Sequence, residues 1–157
     1  MKSDPEITIP VVIDTNVLVP SLYRETPLFN YILTGNLVLI WNNFIYQEAK
    51  AICEKLYMKV YYKATNANDL DKVFRILEII FFPNNKVSEM PFEWPEVSRD
   101  RSDDPFLFAA DEGGANYIIS QDKPHLLALG TFRSIPIGTP KEFFDWANKN
   151  HPFPNDK

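Results

Sequence analysis

Residues 9–16 read Ile9-Pro10-Val11-Val12-Ile13-Asp14-Thr15-Asn16, an apolar, β-branched run that stops on an acid. Residues of this kind favour extended chain, and unbroken hydrophobicity suits a strand buried on both faces of a sheet. The first strand is expected from Ile7 to Ile13, with Pro10 confined to an edge or early position. Asp14 then stands at the carboxyl end of that strand, where open α/β sheets place their sites. A second run, Tyr117-Ile118-Ile119-Ser120, is followed two residues later by Asp122.

Between these strands the punctuation is mostly helical. Thr26-Pro27 starts a helix by capping and by proline at the first position. Leu28, Tyr31 and Ile32 give it an apolar face, and Gly35 ends it. Leu37 to Trp41 reads as the second strand. Asn42 or Asn43 caps a long helix to about Lys63, with Ile45, Ala49, Ile52 and Leu56 on its buried side. Glu48 borders that side. Another helix is expected from Asn68 to Phe82, where Pro83 stops it. Residues 84–102 carry prolines and no period, so a long loop is expected. Ser102 or Asp103 caps a helix to Glu112, ended by Gly113-Gly114. Ile135 to Gly138 forms a last strand, and Thr139-Pro140 opens a last helix to about Asn148. Strands alternating with helices predict an α/β fold, three-layer α/β/α with a central, mainly parallel sheet.

The chain has 157 residues, 45% of them hydrophobic, enough for one core. We expect a single domain over residues 1–150 and a flexible tail over 151–157. No apolar run approaches the ~20 residues of a membrane span, and the amino terminus lacks an apolar signal core. Cys53 is the sole cysteine, so a cytoplasmic, reducing location is the default. A net charge of −5 argues against coating nucleic acid through bulk charge. It leaves catalysis on a phosphodiester open, because part of the negative charge lies in the candidate site.

That site consists of Asp14, Glu48, Asp104 and Asp122. Each has an ordinary explanation: turn chemistry for Asp14 and Asp122, a helix cap for one of Asp103 and Asp104, a solvated helix face for Glu48. Their joint placement shifts the balance. In a parallel sheet, strand carboxyl ends and the following helix starts share one edge. Carboxylates gathered there repel each other unless a cation joins them, and hard oxygen ligands suit Mg²⁺ or Mn²⁺. Asp103 is assigned more to the cap and Asp104 more to the metal. Asn16 and Ser120 are supporting polar residues. Arg99, Arg101 and Lys123 flank the acids and are candidates for phosphate contact. Lys55, Lys59 and Lys63 interleave with tyrosines on the long helix, which fits a single-strand guide or a solvated face equally. His125 is expected to be a polar turn residue.

The strings Val11–Val19, Tyr46-Gln47-Glu48-Ala49-Lys50, Asp103–Ala110, Tyr117–Lys123 and Ile137–Phe144 resemble, in order and spacing, the PIN domain. This is the nuclease fold used by many prokaryotic toxin–antitoxin toxins. The resemblance covers about Ile9 to Trp146. It implies Asp14, Glu48, Asp104 and Asp122 as the metal-binding acids of an endoribonuclease that cuts single-stranded RNA to 5′-phosphate products. It also implies an antitoxin partner and a homodimer. The sequence departs from the family's usual pattern at Ser120-Gln121, Ala49 and Pro105, and none of these removes a carboxylate.

A receiver-like signalling domain wants paired acids before its phosphoacceptor, and only Asp4 and Glu6 precede the first strand. A haloacid-dehalogenase phosphatase wants Asp at the position of Asn16. The rival from another class is a noncatalytic partner-binding module with the acids kept as caps. The 14% aromatic content would then serve a binding surface.

Overall fold

The computed structural model describes residues 8–23, 26–57, 67–122 and 124–151. A five-stranded sheet in the order β2-β1-β3-β5-β4 forms its centre. The strands are β1 (Ile9–Ile13), β2 (Leu37–Leu39), β3 (Tyr117–Ile119), β4 (Thr131–Phe132) and β5 (Ile135–Gly138). All neighbours pair in parallel except β4 with β5. Asp14 and Ser120 therefore leave adjacent strands side by side, because Ile13 pairs with Ile119.

The helices are α1 (Thr15–Ser21), α2 (Pro27–Leu33), α3 (Asn43–Leu56), α4 (Ala67–Ile80), α5 (Asp104–Gly113), α6 (Leu126–Leu129) and α7 (Pro140–Asn150). All three residues of β3 are buried, which requires cover on both faces. Helix α5 supplies one cover and α7 the other, through Tyr117 packed on Phe143 and Trp146. Helix α3 packs on α1, α4 and α5. The core includes Val11, Val12, Leu18, Ile45, Leu77, Phe106, Ile118 and Phe143, all fully or almost fully buried. This is the expected α/β layering around a mainly parallel sheet.

Three of the expected helix caps, at Thr26, Asn42 and Thr139, are formed. Thr26 accepts from Phe29 N at 3.1 Å, and Asn42 from Ile45 N at 3.1 Å. Thr139 and Glu142 form a reciprocal capping box on α7. Gly114 ends α5 in the left-handed region, at φ 68°. Gly138 is needed for another reason. A Cβ there would collide with the Tyr117 hydroxyl and approach Glu142 Cβ to 3.0 Å.

Two α-helices and one strand were not expected. Helix α1 begins directly at Thr15, although Val17, Val19 and Pro20 are poor helix formers. Asp14 caps it, and burial of Val17, Leu18 and Val19 outweighs the weak propensity. The other two are α6 and the strand β4. The β4–β5 turn places Arg133 at φ 48° and Ser134 at φ 70°. Such turns usually announce themselves with Asn-Gly or Asp-Gly, so this hairpin carries no local signal. Cys53 is fully buried in α3, and burial pushes its thiol up to about 12, which fits the packing role read from sequence. Lys59 and Lys63, the end of the long predicted helix, and residues 152–157 of the expected tail lie outside the described residues.

Candidate metal centre

The site is built on the carboxyl edge of the sheet. Asp14 caps α1 and is 4% exposed. Its Oδ1 accepts from the backbone N of Asn16 at 3.3 Å, and its Oδ2 from the Ser120 hydroxyl at 2.9 Å. Ser120 is fully buried and in turn accepts from Asp122 N at 3.0 Å. One hydroxyl thus fixes Asp14 and Asp122 relative to each other. Asn16 contributes through its backbone; its side chain is exposed. Burial raises the Asp14 pKa, partly offset by the Ser120 and Asn16 bonds, and the charge of Asp122 raises it further.

Glu48 enters from α3, in its second turn. Burial raises its pKa, and the negative charges of Asp14 and Asp100 add to the effect. The Thr15 hydroxyl lies near enough to lower it in part. Yet neither Thr15 Oγ1 nor Glu48 Oε2 has a partner in hydrogen-bond geometry, and both atoms are buried. Proximity without alignment reconciles the two facts. Buried polar atoms are rarely left unpaired, and such orphans ask for a ligand, ion or water.

Asp103 was expected at the cap and Asp104 at the metal, and the structure places both side chains differently. Asp104 is fully buried, and its carboxylate is occupied inside the protein. It accepts from Val97 N at 3.2 Å and Ser98 N at 2.8 Å, and pairs with Arg101 Nη1 at 3.0 Å. Asp103 occupies the cap position of α5, but its side chain makes no cap bond. It turns instead toward His125 Nδ1, 3.6 Å away, and toward Asp122. Its pKa is raised to about 7, first by burial, then by the charges of Asp122, Asp100 and Asp14. Asp104 precedes Pro105 at the first helical position, with its side chain turned back onto the incoming 97–98 backbone.

Two further residues join the cleft. His125 Nδ1 lies 3.1 Å from Asp122 Oδ2. Asp100 is exposed and accepts from the Ser102 N and hydroxyl at 3.0 and 2.7 Å, bonds that lower its pKa. Asp100, Asp103 and His125 each bring a ligand atom within 4.8 Å of the others. His125 follows Asp122 by three residues in the chain. Asp100 carried no signal in the sequence, because its position depends on the loop.

The proposed phosphate contacts separate. Arg101 spends its guanidinium on Asp104 and on the Phe92 carbonyl, 3.2 Å away. It is a structural cation and does not stand free for a substrate, contrary to expectation. Arg99 is exposed, and Lys123 lies outside the described residues. Among the described residues no lysine or arginine pairs with Asp14, Glu48, Asp103 or Asp122.

Residues 10–124 match the family model of the PIN domain, more than half of the chain. The chain belongs to the PIN-domain family. PIN domains are generally nucleases, hydrolases of phosphodiester bonds, and usually use a divalent metal. A comparison with curated proteins gives no match. The donors of this PIN domain fit such an ion. They are hard oxygens, they repel each other without a cation, and Glu48 Oε2 and Thr15 Oγ1 are left without partners. Among the described residues no helix of this PIN domain is long and apolar enough to cross a membrane.

Proposed function

We propose that this PIN domain is an endoribonuclease that hydrolyses single-stranded RNA with Mg²⁺ or Mn²⁺ held by Asp14, Glu48, Asp103 and Asp122. The observation that carries the reading is a partly buried group of carboxylates that no described lysine or arginine pairs with, in which Glu48 Oε2 has no partner. A phosphodiester is repelled by such a cleft unless a cation is present, so activity should depend strictly on metal. When bound, the cation supplies Lewis-acid activation of water and neutralises charge on the phosphoryl oxygens.

The protein's own residues do the positioning. Ser120 and the Asn16 backbone hold Asp14 in one orientation. Ser120 also anchors Asp122 through its backbone N. Asp104 ties the start of α5 to residues 97–98, which sets where Asp103 stands. Burial and the charges of Asp122, Asp100 and Asp14 raise the Asp103 pKa to about 7, so that a bound cation would favour its ionised form. Arg99 is the exposed cation beside this segment and serves phosphate contact.

The role as toxin of a toxin–antitoxin pair is a further step and rests on family resemblance. One observation favours a partner-binding surface as well. An apolar groove runs along the outer edge of β2, with Leu33, Ile79 and Phe82 exposed beside it. An antitoxin segment would find apolar contacts there. A cytoplasmic location and homodimerisation belong to the same reading.

Incubation with single-stranded RNA in EDTA, Mg²⁺ and Mn²⁺ tests the proposal. Cleavage is expected with metal only, with 5′-phosphate ends, and is lost in Asp14→Asn and Asp103→Asn. Wild-type protein that binds no metal and cuts no RNA would leave the noncatalytic binding module as the better reading.

A further inference from the structure

A cavity of about 230 Å³ opens next to the acidic cleft, between α1, the start of α2, the loop after β3 and the start of α7. Asn16 and Gln121 line it, and both are exposed. We propose that this cavity binds one adenine base of the RNA strand, read by the carboxamides of Gln121 and Asn16, and so gives the nuclease a sequence preference. The inference rests on the reading of the neighbouring cleft as a ribonuclease centre.

Chain connectivity sets the position. Gln121 lies between Ser120, whose hydroxyl bonds Asp14, and Asp122, whose backbone N bonds that same hydroxyl. Asn16 N bonds Asp14 Oδ1. Neither Asp14 nor Asp122 lines the cavity. The two carboxamides are thus chain neighbours of the acids and open onto a separate space, as a base and its phosphate are separate parts of one nucleotide.

The polar groups of the lining divide by what the protein already uses. Ser21 Oγ donates to the Leu18 carbonyl, and Thr26 Oγ1 accepts from Phe29 N. Asn16 bonds Asp14 through its backbone alone, and among the described residues neither its carboxamide nor that of Gln121 has a protein partner. A carboxamide carries an acceptor and a donor side by side. Adenine presents the matching pair at N6 and N7, and a single strand leaves base edges open to such contact. Guanine presents two acceptors, O6 and N7, which suit arginine or lysine, and no described residue of the lining is charged.

The rest of the lining is apolar: Val17, Pro20, Leu28 and Pro140. A purine covers more of this surface than a pyrimidine, which favours adenine over cytosine and uracil. No aromatic ring lines the cavity, so stacking, which tolerates any base, does not dominate. The volume lies below the roughly 300–1,000 Å³ of a site for a drug-sized ligand, so one base fits and two do not.

Uridine-rich single strands carrying one adenine, cytosine or guanine test the proposal in Mn²⁺. Wild-type kcat/KM should be about tenfold higher for the adenine strand, the discrimination of one bidentate pair. Cuts should fall at a constant distance from the adenine. Gln121→Met keeps the side-chain length, removes both bonding atoms and should abolish most of the preference. Gln121→Ala repeats the test if thermal melts show that methionine disturbs folding. A readout without cleavage comes from adenosine and uridine added to the metal-free protein. Adenosine should shift the side-chain amide resonances of Asn16 and Gln121, and uridine should not. Cleavage indifferent to the base overturns the proposal and leaves the nuclease. A preference that survives both Gln121 variants overturns it too. Adenosine-specific shifts without RNA cleavage support the base site and count against the nuclease. Absence of both cleavage and shifts sinks both.

Discussion

Asp103 and Asp104 are adjacent in the chain, and their carboxylates face opposite ways: Asp104 is sealed against Val97 N, Ser98 N and Arg101, while Asp103 faces Asp122 and His125 across the cleft. One holds the loop to the helix, and the other contributes charge to the site.

Substitution separates these roles. Asp104→Ala removes two backbone bonds and an ion pair from a fully buried group. A loss of about 2–4 kcal/mol in unfolding free energy is expected, because charge-assisted bonds and buried partners are left unmade. Asp103→Asn removes a carboxylate from a repulsive cluster and should leave the metal-free protein as stable or more so. Urea denaturation of both variants in EDTA checks this. Equal destabilisation by the two would show that Asp103 is structural too.

The pH dependence follows from the direction of the shift. The Asp103 pKa is about 7 in the folded protein, above the ordinary carboxylate value of 3.8. The folded state therefore binds more protons between those values, and stability falls as pH rises through the window. Asp14 and Glu48 are raised as well and act in the same sense. The melting temperature in EDTA should drop between pH 5 and pH 8. Mn²⁺ should reverse the drop, since it relieves the repulsion and binds only the folded state. Asp103→Asn should flatten the profile; a wild-type profile already flat over that range would refute the strained cluster.

Ser120→Ala tests the shared hydroxyl. It takes a donor from Asp14 Oδ2 and an acceptor from Asp122 N. Stability should fall by about 1–2 kcal/mol, the cost of a buried hydrogen bond left unmade. Metal affinity should fall as well, because both ligands lose their common anchor. Ser120→Thr retains the hydroxyl and should recover most of the affinity. Titration calorimetry gives the comparison, and equal affinity in the alanine variant would remove Ser120 from the site.

Gly138→Ala probes the platform beneath the site. The added methyl meets the Tyr117 hydroxyl and the start of α7. Overpacking of this kind typically costs about 1–3 kcal/mol. Thermal unfolding should show the loss. Tyr117→Phe in the same background should recover part of it by removing the obstructing oxygen.

Sequence alone determined the parallel layering, three helix caps, and the placement of Asp14 and Asp122 at strand ends. These depend on apolar runs and on side chains that bond their own neighbours, so each is a local property of the chain. Only the tertiary structure decided that Asp103 and not Asp104 faces the cleft, because the answer lies with Val97, Ser98 and Arg101 in the folded loop. It likewise brought Asp100 and His125 together across chain separations that no periodicity encodes. The Arg133-Ser134 turn was hidden for a related reason. Its positive φ angles are imposed by the pairing of β4 with β5, against the preference of both residues.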